Sequence, residues 1–152
     1  MGRLKNNGAV LVMLLGLLLG QVGIVHASNE VTAKVAVIHA TKTAGGMDAK
    51  LSKKIVRSLR KTFGGFKTFK ELDKKTIKLV MNKSKQITLP NAQKATLNYR
   101  GKKGRSHLLT FAIPESKVNV DLRAPAKKLF YQAGIPHKDG ILILAFYLKE
   151  NG

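Results

Sequence analysis

Residues 31–65, VTAKVAVIHATKTAGGMDAKLSKKIVRSLRKTFGG, decide how the fold is read. Val31, Ala33 and Val35 alternate with Thr32 and Lys34, and the run then turns apolar at every position through Ile38. That drift marks a strand passing from one covered face to two. Thr41 to Gly46 reads as a loop, and Asp48 as the N-cap of a helix. From Ala49 to Phe63 the period is helical. At 100° per residue, Leu51, Ile55, Val56, Leu59 and Phe63 fall within about 140° of arc. Lys50, Lys53, Lys54, Arg57, Arg60 and Lys61 fall opposite them, and Gly64-Gly65 supplies the stop.

Upstream, residues 1–27 do not read as part of this fold. Arg3 and Lys5 give a basic start, Ala9 to Leu19 is nearly unbroken apolar sequence, and Val25-His26-Ala27 suits signal peptidase. These are the three regions of a secretory signal peptide, with cleavage expected after Ala27. An uncleaved anchor is the alternative, weakened by Gln21 and by Gly16, Gly20 and Gly23. With no Cys after the apolar run, a lipoprotein is excluded, and the expected location is periplasmic or secreted. The remaining 28–152 reads as a single α+β domain.

Downstream the pattern breaks into short alternating runs with turn residues between them. Phe66–Leu72, Ile77–Met81, Ile87–Leu89, Ala95–Tyr99, His107–Ile113 and Val118–Leu122 are candidate strands. Arg100–Arg105 reads as a hairpin connection, Lys127–Gln132 as a short strand or helical turn, and Gly134–Gly140 as a loop. Ile141–Leu148 (ILILAFYL) is apolar throughout, a central strand covered on both faces. The expectation is a mostly antiparallel sheet packed against one long, basic, amphipathic helix, with a strand-helix unit first and a β-meander after it.

The chain of 152 residues carries 28 Lys+Arg against eight Asp+Glu, a formal charge of +20, and no Cys. Disulfides, thiolate metal sites and thiol nucleophiles are excluded. Six Phe, three Tyr and no Trp provide no stacking ladder for single-stranded nucleic acid. The helix cations have no acid at i+3 or i+4 after Asp48, and like charges at those spacings cost a few tenths of a kcal/mol each. A face that tolerates this repulsion suits an anionic polymer or membrane surface, including non-specific nucleic acid, although a solvated helix is the plainer alternative. Lys outnumbers Arg by 22 to 6, which argues against base-specific readout. Arg100, Lys102, Lys103 and Arg105 form a second candidate anion contact, with edge protection as the plainer account.

Enzyme signatures are missing. The 41–48 loop lacks Walker spacing, no G-x-S-x-G or HExxH occurs, and nothing calls for a metal or cofactor. His39, His137 and Asp139 would converge only if the first and last strands are antiparallel neighbours. The expectation is a non-enzymatic exported protein that associates electrostatically with lipopolysaccharide, polysaccharide, DNA or anionic lipid. The alternative is a structural or adaptor subunit of an envelope assembly that binds a protein partner.

The leader, the VAVIHATKTAGGMDAKL passage, the FGGFKTFKEL junction and the terminal IPHKDGILILAFYL together resemble small exported proteins of Gram-negative bacteria with no known activity. The resemblance implies a fold and a location, and no site.

Overall fold

The computed structural model describes residues 29–151, so the signal peptide expected at 1–27 lies outside the described residues. The order is β1 (Glu30–Thr41), β2 (Gly46–Met47), α1 (Lys53–Thr62), β3 (Thr68–Val80), β4 (Ser84–Thr88), β5 (Lys94–Lys103), β6 (Ser106–Ile113), β7 (Val118–Pro125), β8 (Leu129–His137) and β9 (Gly140–Glu150). A five-stranded sheet runs β2-β3-β1-β9-β8 and a four-stranded sheet runs β4-β5-β6-β7. Apart from the parallel β2–β3 contact, all strand pairs in the sheets are antiparallel. This corrects the expected α+β architecture with one long helix on a sheet: the protein is mostly β, with two sheets and a helix of ten residues.

From β3 onward the chain is a meander whose last strand returns to pair with β1. The crossings between sheets are tied down on both sides. Met81 N–H donates to Asn29 O and Asn82 N–H to Tyr99 O at the β3–β4 crossing. Lys127 N–H donates to Leu148 O and Ala126 N–H to Arg105 O at the β7–β8 crossing. Between the sheets lies the main core, with Val31, Val35 and Val37 of β1 facing Leu97, Leu109 and Phe111 of the second sheet.

The alternate residues of β1 form a second core. Ala36, Ile38 and Ala40 pack with Ile143 and Ala145 of β9 beneath Leu51, Ile55 and Leu59. Thus β1 and β9 are covered on both faces, as their continuous apolar runs require. A ten-residue helix is marginal in water on propensity alone. Burial of Leu59 and Ile55, about 1.5–3 kcal/mol each, holds it in place.

The helix is shorter than its periodicity suggests because Asp48 is not its cap. Ser52 is, its Oγ accepting from Ile55 N–H at 3.3 Å. Asp48 instead accepts from the N–H groups of Lys50 (3.0 Å) and Glu71 (3.1 Å), tying the 46–51 segment to β3. The Lys50 side chain therefore precedes the helix.

Three bulges account for the other corrections. Phe66–Leu72 and Ile77–Met81 are not separate strands: one strand runs Thr68–Val80, and its register skips Leu72. The skip sends Phe69 to the helix side and Ile77 and Leu79 to the inner core, while Leu72 is 36% exposed. At Arg100 the expected hairpin connection is still strand, with Gly101 at φ +99° and the turn confined to Gly104-Arg105. Likewise β8 continues through Gly134 (φ +90°) to His137, leaving only Lys138-Asp139 as turn. Among the described residues, no helix is long and apolar enough to cross a membrane.

Gly140 starts β9 so close to β1 that an added Cβ would sit 2.1 Å from Ala40 O. Gly140→Ala is expected to lower unfolding free energy by about 2–4 kcal/mol in urea titration, because backbone must move. Gly65→Ala, which meets nothing within 4 Å, should stay within about 0.5 kcal/mol of the parent.

Candidate anion-binding site

Helix α1 turns Ile55 and Leu59 inward, which leaves Lys53, Lys54, Arg57, Arg60 and Lys61 exposed. No acidic residue occupies the first turn. Lys53 and Lys54 thus stand at the positive end of the helix dipole, where anions are favoured and cations are not. On one flank Lys53, Arg57, Arg60 and Lys61 border an open groove of about 710 Å³, floored by Met47, Leu51 and Val56. Asp48 also lines this groove. The Lys50 N–H hydrogen bond, then the Glu71 N–H and the nearby Lys50 and Lys70 charges, hold its carboxyl below the usual range against an opposing desolvation effect. Among the described residues, no carboxylate lies within ion-pair distance of the five helix cations.

On the other flank Lys54 turns away from this groove. Its Nζ lies 5.1 Å from the centre of the Tyr147 ring, a cation–π contact. Together with Lys34 of β1 and Lys74 of β3 it borders a separate cleft of about 350 Å³. Periodicity alone puts Lys54 on the helix stripe. It gives no sign of the two strand lysines, because their approach depends on the β1–β3 register.

The second candidate contact does not join the first. Arg100, Lys102, Lys103 and Arg105 belong to the four-stranded sheet or its turn, and the five-stranded sheet stands between them and α1. Arg100 pairs with Asp121 at 3.5 Å, and Lys102 with Glu150. That lysine contact is the largest influence holding the Glu150 carboxyl below its ordinary range. Lys103 and Arg105 remain exposed at the turn.

Antiparallel pairing of β1 with β9 does bring His39, His137 and Asp139 together. His39 Nε2 is 3.4 Å from Asp139 Oδ1, and the two imidazoles meet edge to face with centres 5.0 Å apart. Burial, then the neighbouring His39 and Lys138, moves the His137 pKa down, against a raising effect of Asp139. Among the described residues, no group of three His, Asp or Glu side chains is arranged to hold a metal ion. None of these three borders either cavity flanking α1.

At the opposite end of the inner core, Tyr99 and His107 are each 1% exposed. The β5 phase that buries Ala95 and Leu97 turns Tyr99 inward as well. Its hydroxyl lies 3.0 Å from His107 Nδ1, and His107 Nε2 lies 3.6 Å from Glu150 Oε1. Burial pushes the His107 pKa down, Glu150 opposes that shift, and Lys102 adds to it.

The chain matches no protein-family model, no curated protein and no solved structure. Geometry and charge therefore carry the assignment of the site.

The folded pKa of His107 lies below its ordinary value of 6.5, so the unfolded chain takes up the proton first as pH falls. Stability present above about pH 6.5 is then lost as pH drops toward the folded pKa. Urea midpoints are expected to fall between pH 7.5 and 5.5, and His107→Gln should shrink that fall. His137, depressed in the same direction, should supply a remainder. An equal fall in the parent and His107→Gln would place the proton uptake elsewhere.

Proposed function

We propose that this chain is a non-enzymatic exported protein that associates through α1 with anionic polymers of the envelope or its surroundings. One observation carries the reading: Lys53, Arg57, Arg60 and Lys61 line a single open groove without a carboxylate partner among the described residues. Polymer phosphates, sulfates or carboxylates neutralise such a row and release their condensed counterions. Exposed guanidinium and ammonium groups on a rigid helix recognise charge spacing, not base edges. The apolar floor of Met47, Leu51 and Val56 leaves room for sugar or lipid carbon between the charges. Lys103 and Arg105 provide a separate, weaker contact, since half of their hairpin's cations already face acids.

The alternative, a protein partner added to a sheet edge, meets an obstacle. Among the described residues, the outer edge of β3 beyond Phe69 has no strand neighbour, yet that strand carries Lys70, Lys74, Lys75 and Lys78. Lysines on an open edge discourage strand addition.

Binding to duplex DNA, used as a model polyanion, should weaken with salt at a log–log slope of about −3.6 if the four groove cations each displace one counterion. Fluorescence anisotropy between 50 and 300 mM NaCl measures it. Arg57→Ala/Arg60→Ala/Lys61→Ala should flatten the slope by nearly 3, and Lys103→Ala/Arg105→Ala by less. An unchanged slope in the helix variant would remove α1 from the contact.

A further inference from the structure

We propose that the cleft on the Tyr147 flank of α1 binds one free anionic amphiphile, a carboxylate or phosphate head on an acyl chain. The inference does not depend on polymer association, whose groove is lined by other side chains.

The β-sheet register builds the site. On the outer face, Lys34 of β1 lies across from Thr76 of β3 and from Tyr147 of β9. One step along the same face, Ala36 lies across from Lys74 and Ala145. Lys34 and Lys74 are thus diagonal neighbours, about 7–8 Å apart at the backbone, within reach of a shared small anion. Two alanines at the next position leave depth where larger side chains would fill the surface, and Ile55 closes the cleft from above. Lys54 comes from the helix side, so three cations from three elements surround a floor that is mostly carbon.

Charge placement distinguishes these lysines from their neighbours. On β3, Lys75 pairs with Asp73 and Lys78 with Glu30. Lys34, Lys54 and Lys74 pair with no carboxylate among the described residues, and no acid lines the cleft. Concentrating like charge beside apolar surface is unfavourable unless an opposite charge with an apolar body occupies the space. A hydrated ion alone would satisfy the ammonium groups and leave the carbon floor wet. A neutral chain would cover the floor and leave the ammonium groups crowded. An anionic head with a short apolar chain answers both. The volume, about 350 Å³, lies at the small end of ligand pockets, which suits one chain. The cleft is recessed between helix and sheet, so a monomer enters it more readily than a bilayer plane.

Decanoate, held well below its micelle threshold, is the probe. Titration calorimetry of the leaderless protein should show saturable one-to-one binding, and amide NMR shifts should cluster at Ala145, Tyr147 and Lys54. Decanol should bind at least tenfold more weakly, and Lys34→Gln/Lys74→Gln, two exposed side chains, should weaken decanoate at least tenfold with an unchanged thermal melt. Inorganic phosphate at equal concentration should not displace it. Arg57→Ala/Arg60→Ala/Lys61→Ala should leave decanoate affinity within twofold, which separates this site from the polymer groove. The proposal is overturned by absent or unsaturable binding, by equal affinity for decanol, by displacement with phosphate, or by indifference to the lysine variant. It is also overturned if Lys34 and Lys74 are needed for phosphatidylglycerol vesicles while monomeric decanoate does not bind.

Discussion

Between Val35 and Ile38, strand β1 has no face left for water. It is paired on one side with β3 and on the other with β9, and its side chains there enter the inner core and the helix-side core alternately. A strand buried this way satisfies its backbone groups within the sheet, so its neighbours must be long and in register. The thirteen residues of β3 and the eleven of β9 meet that demand. It also requires cover on the outer face, and α1 supplies it. The helix therefore exists less by its own propensity than because Ala36, Ile38 and Ala40 need a lid.

That requirement places the charges. Once Ile55 and Leu59 are committed to the outer face of β1, the rest of α1 must face solvent, and those positions are largely basic. The helix covers only part of the sheet. Where it ends, Lys34 and Lys74 come out from under it on the same outer face. Both cavities beside α1 thus follow from one packing decision, a short helix laid over a longer sheet.

What could be read from the residues alone divides along the same line. The apolar runs at Val35–Ile38 and Ile141–Leu148 announce doubly covered strands, because burial on two faces erases alternation. The helix stripe is equally plain in its 3.6 period. The convergence of His39, His137 and Asp139 could be stated only as a condition on strand order, and the pairing of β1 with β9 meets that condition. Bulges defeat this kind of reading. Leu72 shifts β3 by one residue and exchanges its faces, so one strand looks like two. Gly101 and Gly134 look like turns because glycine serves both purposes. Asp48 and Ser52 are both sound N-caps, and only the hydrogen bond from Glu71 N–H shows why the aspartate is engaged elsewhere. The lysine cleft was illegible because Lys34 and Lys74 are far apart in the chain and meet through register alone.

The few acids sharpen the electrostatic reading. The chain has eight carboxylates for 28 cationic side chains, so where they stand is informative. Glu30, Asp73, Asp121 and Glu150 face lysine or arginine of strands, Asp139 faces His39, and Asp48 and Glu115 accept from backbone N–H groups. Glu71 keeps one buried oxygen without a hydrogen-bond partner. None is spent on a side chain of α1. Exposed pairs of this kind contribute little to stability, about 0–1 kcal/mol, so their absence from the helix would be a small loss to the fold. It is a large difference to the field outside the protein. Moving even two of these acids onto the helix would cut the net charge of the groove, four cations and Asp48, from +3 to +1 without touching either core. The bare helix therefore carries an unneutralised row of cations that the packing holding β1 in place does not require.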